Sequence, residues 1–362
     1  MILILRNFMK PASLLILLVL IISTHFQIYA QEKEMSKSLK SLTSMGWTNH
    51  DKHSIDSMAN TMKRINSLII VKNDTMVYES YFNGFDPNTD YSNIKSGSKS
   101  ILNILVGIAV QEGFIQSIDQ TVFDFLPEYF KEGMDPRKKQ ISIRHLMTMQ
   151  SGLEPTSLDK YSAWVASEDW IAYALELPLL AEPGSLYGYS TGDTHLLGVV
   201  LAKAVGRSAL EFAQEHLFSP MDIHVDQWTA DPMGYHEGGN NIFIKPADYA
   251  KIGLMIKHGG KYLDKQIINK EWIDDSIAFK VEPHGISRPF PIDGYGYLWW
   301  LIDASGFKTY CGIGFGGQYM MTIPELDMII VLTSQYRGSA PSQHFTDIAT
   351  LINDFILAPF IK

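Results

Sequence analysis

Ser96-Gly97-Ser98-Lys99-Ser100, followed by Ile101-Leu102-Asn103-Ile104-Leu105-Val106-Gly107-Ile108-Ala109-Val110, reads as a polar turn running into a buried helix. Positions three apart share one helix face, so the Lys99 amine stands beside the Ser96 hydroxyl. A serine hydroxyl is a weak nucleophile, and a neighbouring neutral amine can take its proton. The helix N-terminus adds free backbone N–H groups and the positive end of a dipole, which suits an oxyanion. Ser-x-x-Lys occurs four times, at Ser92/Lys95, Ser96/Lys99, Ser157/Lys160 and Ser305/Lys308, so the spacing alone selects nothing. An isolated copy reads as a solvated turn. Context sets Ser96 apart: its copy leads into a long apolar helix, and no charge follows Lys99 until Glu112.

Strand signals lie on both sides of this helix and far from it. Residues 67–72 and 75–82 flank Asn73-Asp74, a hairpin pattern. Late in the chain 296–301, 318–323 and 328–333 are strand-like, the last two joined through Pro324-Glu325-Leu326-Asp327. The middle is helical, over 141–149, 160–178, 192–218 and 246–258, with Pro183-Gly184 and Gly238-Gly239 as the clearest breaks. An amphipathic helix over about 343–357 closes the chain. This pattern predicts an α+β fold. One antiparallel sheet is built from both chain ends and flanked by helices, with a helical lobe over about 115–260.

Arg6 and Lys10 precede an apolar core at 14–22, and Ala30 stands before Gln31. A basic start, a short apolar core and a small residue make residues 1–30 a signal peptide. The core is too short for a comfortable membrane span, so the expected location is periplasmic or secreted, with no stable span after cleavage. Residues 31–64 read as a polar lead-in and 65–360 as the folded domain. Removal of 1–30 leaves 332 of 362 residues and takes the formal charge from −9 to −11. An acidic chain without a basic run excludes a nucleic-acid partner. The single cysteine, Cys311, excludes an internal disulfide.

Two further stretches can serve the serine. Tyr189 lies in a loop just ahead of the helix containing Thr194 and His195, and a tyrosine held there near a lysine can shuttle a proton. Gly312-Ile313-Gly314-Phe315-Gly316-Gly317-Gln318 precedes a strand signal, and glycines there let a backbone approach a ligand. An edge strand at this point would supply a second oxyanion N–H. No Gly-x-Ser-x-Gly elbow and no His-Glu-x-x-His is present. His50 and His53 read as solvated surface, and His145 and His195 as core residues. Trp164, Trp170, Trp299 and Trp300 read as core, with a substrate wall as the other possibility. No cofactor motif is found.

These residues together resemble the serine β-lactamase-related family, which includes class C β-lactamases, penicillin-binding DD-peptidases, family VIII esterases and 6-aminohexanoate-dimer hydrolases. Ser96-x-x-Lys99 matches its first motif. Tyr189-Ser190-Thr191 matches the Tyr-x-Asn motif in its tyrosine, and Gly312-Ile313-Gly314 keeps the last glycine of Lys-Thr-Gly or His-x-Gly. Residues 143–153, Gly192-Asp193, Pro246-Ala247-Asp248 and the run from Gly314 into Pro324-Glu325-Leu326-Asp327 extend the resemblance over about 65–360. It implies Ser96 as nucleophile, Lys99 and Tyr189 as the proton-transfer pair, and the Ser96 and Phe315 backbone N–H groups as the oxyanion site. Gly314, Gly316 and Thr191 would then line the substrate. In β-lactamases the Lys-Thr of the third motif helps hold the substrate carboxylate, and Gly312 and Ile313 lack such side chains. Thr191 in place of asparagine removes an orienting amide. Both departures favour a small amide, ester or short peptide substrate over a β-lactam, with β-lactamase or DD-peptidase as the alternative within enzymes. A second class of reading is a ligand- or peptidoglycan-binding protein that has lost catalysis.

Overall fold

A computed structural model describes residues 42–284 and 289–361 of the chain; the expected signal peptide at 1–30 lies outside the described residues. No helix among the described residues is long and apolar enough to cross a membrane.

The first helix, α1, spans Asn49–Thr61. Thr48 caps it with a reciprocal capping box to Asp51. The hairpin follows as strands β1 (Ile65–Lys72) and β2 (Thr75–Tyr81). Its turn residues Asn73 and Asp74 have φ of 49° and 59°. These are the left-handed values a two-residue hairpin requires, and Asn and Asp tolerate them. Helix α2 (Ser98–Gln111) comes next, and residues 98–109 are all buried. Its polar residues are paired: Ser98 Oγ accepts from Ile242 N at 3.2 Å, Ser100 Oγ donates to Leu298 O at 2.9 Å, and Asn103 Oδ1 accepts from Trp299 Nε1 at 3.2 Å. An apolar helix with satisfied polar positions belongs in the interior.

The middle lobe contributes α3 (Thr191–Val205), ended by Gly206 at a φ of 68°, and α4 (Pro246–Lys257). The expected helix over 160–178 is two short ones, Tyr161–Val165 and Trp170–Glu176, because Asp169 starts the second by capping Ile171 and Ala172. The expected helix over 141–149 is confined to Ile143–Met147. A small sheet that periodicity does not reveal pairs Ser92–Asn93 with Ile242–Ile244, and that strand with Val225–Trp228. It places the approach to Ser96 beside the segment that follows Gly239.

The last strands are β3 (Ile292–Tyr295), β4 (Trp300–Ala304), β5 (Phe307–Gly314), β6 (Gln318–Ile323) and β7 (Met328–Ser334). All pairings are antiparallel and the sheet order is β2-β1-β7-β6-β5-β4-β3, so both chain ends build one sheet as expected. Strands β6 and β7 are buried throughout. Helix α4 lies on them, with Gly253 against Met320 and Ile329.

The strand expected at 296–301 needs correction: only Trp300 and Leu301 belong to β4. Leu298 has a φ of 61°, Gly296 N bonds Trp299 O, and Leu298 N bonds Met147 O. A Cβ on Gly296 would stand 2.1 Å from Ser276 O. This stretch is a tight turn wedged against neighbouring backbone, which an extended conformation would not fit.

The C-terminal helix α5 (Ser342–Thr350) continues in wider turns over Leu351–Leu357. Trp47, 1% exposed, donates from Nε1 to Ile356 O at 2.9 Å and packs edge-on to Phe360. The described part of the polar N-terminal stretch is thereby fastened to the C-terminus. Trp47→Ala is expected to lower stability by about 3–5 kcal/mol, measured by urea unfolding; a midpoint unchanged from wild type would contradict this packing.

Candidate functional site

Ser96 sits in a tight turn, Lys95–Gly97, that runs straight into α2. The turn is entered through Lys95 at a φ of 50°, a left-handed conformation that bends the chain sharply before the serine. Asn93 Oδ1 accepts from Lys95 N at 2.9 Å, and Ile94 O accepts from Gly97 N at 2.9 Å. Ser96 is half-buried, while Lys99 is 1% exposed. Lys99 Nζ donates to Ser96 Oγ at 3.1 Å, to Gly239 O at 2.8 Å and to Thr191 Oγ1 at 3.5 Å.

Tyr189 lies one residue before Ser190, the N-cap of α3. The Lys99 amine stands 5.2 Å from the centroid of the Tyr189 ring. The Tyr189 hydroxyl is buried without a hydrogen-bond partner in the described structure. Lysine and tyrosine therefore meet through amine and ring face rather than through a direct hydrogen bond. Trp300 and Tyr295 back the ring, at centroid distances of 5.6 and 6.5 Å. Trp164 and Trp170 pack on the buried His195, whose Nε2 pairs with Asp231 at 2.9 Å. Thr191 reaches Lys99 at 3.5 Å, and its hydroxyl shares a 3.0 Å hydrogen bond with Ser157. Ser157 belongs to another of the four Ser-x-x-Lys copies, and its approach to this cluster is not visible in the sequence.

The glycine-rich stretch from Gly312 needs a second correction. The stretch does lead into β6, but Gly312, Ile313 and Gly314 themselves close β5, and β5 lies inside the sheet rather than at its edge. Its pairing with β4 stops at Cys311↔Trp300, so residues 312–314 run on without a strand partner on that side. They behave there as a local edge. A Cβ on Gly314 would stand 2.1 Å from Ile94 O, so this backbone presses against the turn that carries Ser96. A Cβ on Gly312 would stand 2.7 Å from the Tyr249 hydroxyl, and one on Gly97 2.5 Å from it. Burial pushes that tyrosine's ionisation upward, so the space holds a neutral hydroxyl. Gly316 and Gly317, at φ of 82° and 97°, turn the chain into β6. Phe315 is left 58% exposed on the lip. Among the described residues no group of three or more His, Cys, Asp or Glu side chains is placed to hold a metal.

Asp193, in the first turn of α3, is 2% exposed. Burial pushes its carboxyl up to about 7, against hydrogen bonds from Ser151 and Ser190 and the nearby Lys99 charge, which pull it down. The folded chain therefore keeps this proton over a range in which the unfolded chain releases it. Stability from this group is full below about 3.8 and is lost as pH rises toward about 7. Asp193→Asn removes the titration. Thermal unfolding across this range should show wild type losing stability relative to the variant as pH rises; parallel profiles would contradict the assignment.

Comparison with known proteins agrees with this fold. The Beta-lactamase family matches residues 51–352. A 6-aminohexanoate-dimer hydrolase from Paenarthrobacter ureafaciens is 22% identical over 290 residues, covering 75% of this chain and 72% of the relative. The octameric penicillin-binding protein homologue from Pyrococcus abyssi superposes with a TM-score of 0.65 at 22% identity, over 83% of this chain and 76% of that one. A simvastatin synthase mutant from Aspergillus terreus gives 0.67 at 16% identity, over 87% and 98%. With the family match spanning most of its length, the chain belongs to the Beta-lactamase family.

Proposed function

We propose that this protein is an exported serine hydrolase that cleaves a small amide or ester through an acyl-enzyme on Ser96. The observation that carries the reading is the 3.1 Å contact between the almost fully buried Lys99 amine and the Ser96 hydroxyl. Ser96 Oγ attacks the substrate carbonyl carbon as its proton passes to the Lys99/Tyr189 pair. The Lys99 amine stands 5.2 Å from the centre of the Tyr189 ring, close enough for the two to share this role. The carbonyl oxygen takes the developing negative charge and is held by the backbone N–H groups of Ser96 and Phe315. The pair returns the proton to the leaving amine or alcohol as its bond to carbon breaks. Water then adds to the acyl-enzyme by the same route and releases Ser96 and the acid. Gly314 and Gly316 allow the lip to approach substrate, and Thr191 helps aim Lys99.

Gly312 and Ile313 bring neither a cation nor a hydroxyl to the third motif, which favours short linear amides and carboxylic esters over β-lactams. The relative named a 6-aminohexanoate-dimer hydrolase supports a linear amide among the candidates. Export rests on the basic and apolar pattern of residues 1–30.

The test is mass mapping after exposure to a fluorophosphonate. A single adduct on the Ser96 peptide, lost in a folded Ser96→Ala, is expected, followed by turnover in a panel of esters, linear amides, D-peptides and β-lactams. No adduct on the folded wild type would overturn the hydrolase reading in favour of a ligand-binding protein.

A further inference from the structure

Lys99 makes its shortest hydrogen bond, 2.8 Å, to the carbonyl of Gly239. That carbonyl belongs to the stretch Glu237-Gly238-Gly239-Asn240-Asn241, which is wedged between α3 and the lysine. A Cβ on Gly238 would stand 2.1 Å from Thr194 O, and one on Gly239 1.9 Å from Thr194 Oγ1 and 2.9 Å from Lys99 Cγ. The stretch ends in Asn241 at a φ of 60°, a left-handed conformation that asparagine tolerates.

Glu237 begins the stretch and is 0% exposed. Burying a carboxylate is costly unless it is paired and hydrogen-bonded. Tyr161 Oη donates to its Oε1 at 3.1 Å, and Asn241 Nδ2 donates to its Oε2 at 2.6 Å. Asn240 Nδ2 in turn donates to Tyr161 Oη at 2.8 Å. Asn241 Oδ1 accepts from Lys95 Nζ at 2.9 Å and from Asn93 Nδ2 at 2.8 Å. Lys95 is the residue before the serine. Its own ionisation is lowered by burial and pushed back up by the Glu237 charge. One buried carboxylate is thus tied to both ends of the 237–241 stretch and, across Asn241, to the backbone turn that presents Ser96.

We propose that Glu237 is a positioning residue of the Ser96 site, with Lys95 as its charge partner. Through Tyr161 and Asn241 it fixes the 237–241 stretch so that the Gly239 carbonyl holds the Lys99 amine on Ser96. Glu237 touches neither serine nor substrate. The proposal rests on Ser96 and Lys99 as the reacting pair.

The rate of fluorophosphonate labelling at Ser96 tests it, resolved into a probe-affinity constant and a maximal rate. Glu237→Gln keeps the side-chain shape and is expected to lower the maximal rate by about 10- to 100-fold with affinity unchanged, the scale of a small misplacement in a reacting pair. Lys95→Met is expected to slow labelling too, because it leaves Glu237 without its cation. The double variant Lys95→Met/Glu237→Gln should label faster than Lys95→Met alone, a rescue that loss of packing does not produce. If Glu237→Gln does not fold, Tyr161→Phe decides, with a reduced maximal rate expected. Wild-type labelling of Ser96 with either folded variant at the wild-type rate, or no rescue in the double variant, overturns the role of Glu237. No labelling of wild type instead overturns the Ser96 reading beneath it.

Discussion

A primary amine that is 1% exposed has to find its hydrogen-bond acceptors inside the protein, and this requirement governs the centre of the molecule. Lys99 finds three oxygens, each on a different segment: Ser96 on the turn before α2, Thr191 on the first turn of α3, and Gly239 on the bend between the two long strands of the small sheet. No two of these segments are adjacent in sequence. Their meeting depends on α2 being buried, on α3 being capped at Ser190, and on the pairing of Ser92–Asn93 with Ile242–Ile244. A surface lysine would impose none of this. Burial turns one side chain into a test that the whole lobe must satisfy.

The same economy of space shapes the other side of the serine. Gly97, Gly312 and Gly314 lack side chains where a Cβ would run into the Tyr249 hydroxyl or the Ile94 carbonyl. The strand end therefore lies closer to the Ser96 turn than any other residue type would permit. Gly312→Lys would first require moving Tyr249, which α4 holds in the core. The neutral third motif is thus built into the packing between α4, α2 and β5 rather than carried by one replaceable residue.

What the sequence makes legible follows from the range of the interactions concerned. The hairpin at 65–81, the α2 helix and the pairing of β6 with β7 are set by local turn chemistry and periodicity, and they stand as expected. Ser96 and Lys99 are legible because three residues of helix bring them together. Stretch 296–301 is misleading because its aromatic, β-prone residues are forced into a turn by the backbones of Ser276 and Met147, which are distant in sequence. Gly238-Gly239 appears only as a break between helices, since a carbonyl carries no mark in the sequence. Ser157 is likewise invisible as a neighbour of Thr191, because only the tertiary fold brings residues 34 apart into contact.

The charges around the serine are arranged by the same logic. Two lysines and two buried acids lie near it, and a compact site with four charges would ordinarily pair them directly. Here the oxygens Lys99 bonds belong to hydroxyls and a carbonyl, all neutral acceptors. Lys95 faces Glu237 with an asparagine amide between them. Asp193 is held by serines, and burial pushes it toward the protonated form. A carboxylate bonded directly to Lys99 would favour the charged ammonium. Lys99 thus meets its hydrogen-bonding requirement without a carboxylate beside it. The Asn241 bridge is therefore more than a spacer: it lets Glu237 anchor the segment that aims Lys99 without placing its charge on Lys99 itself.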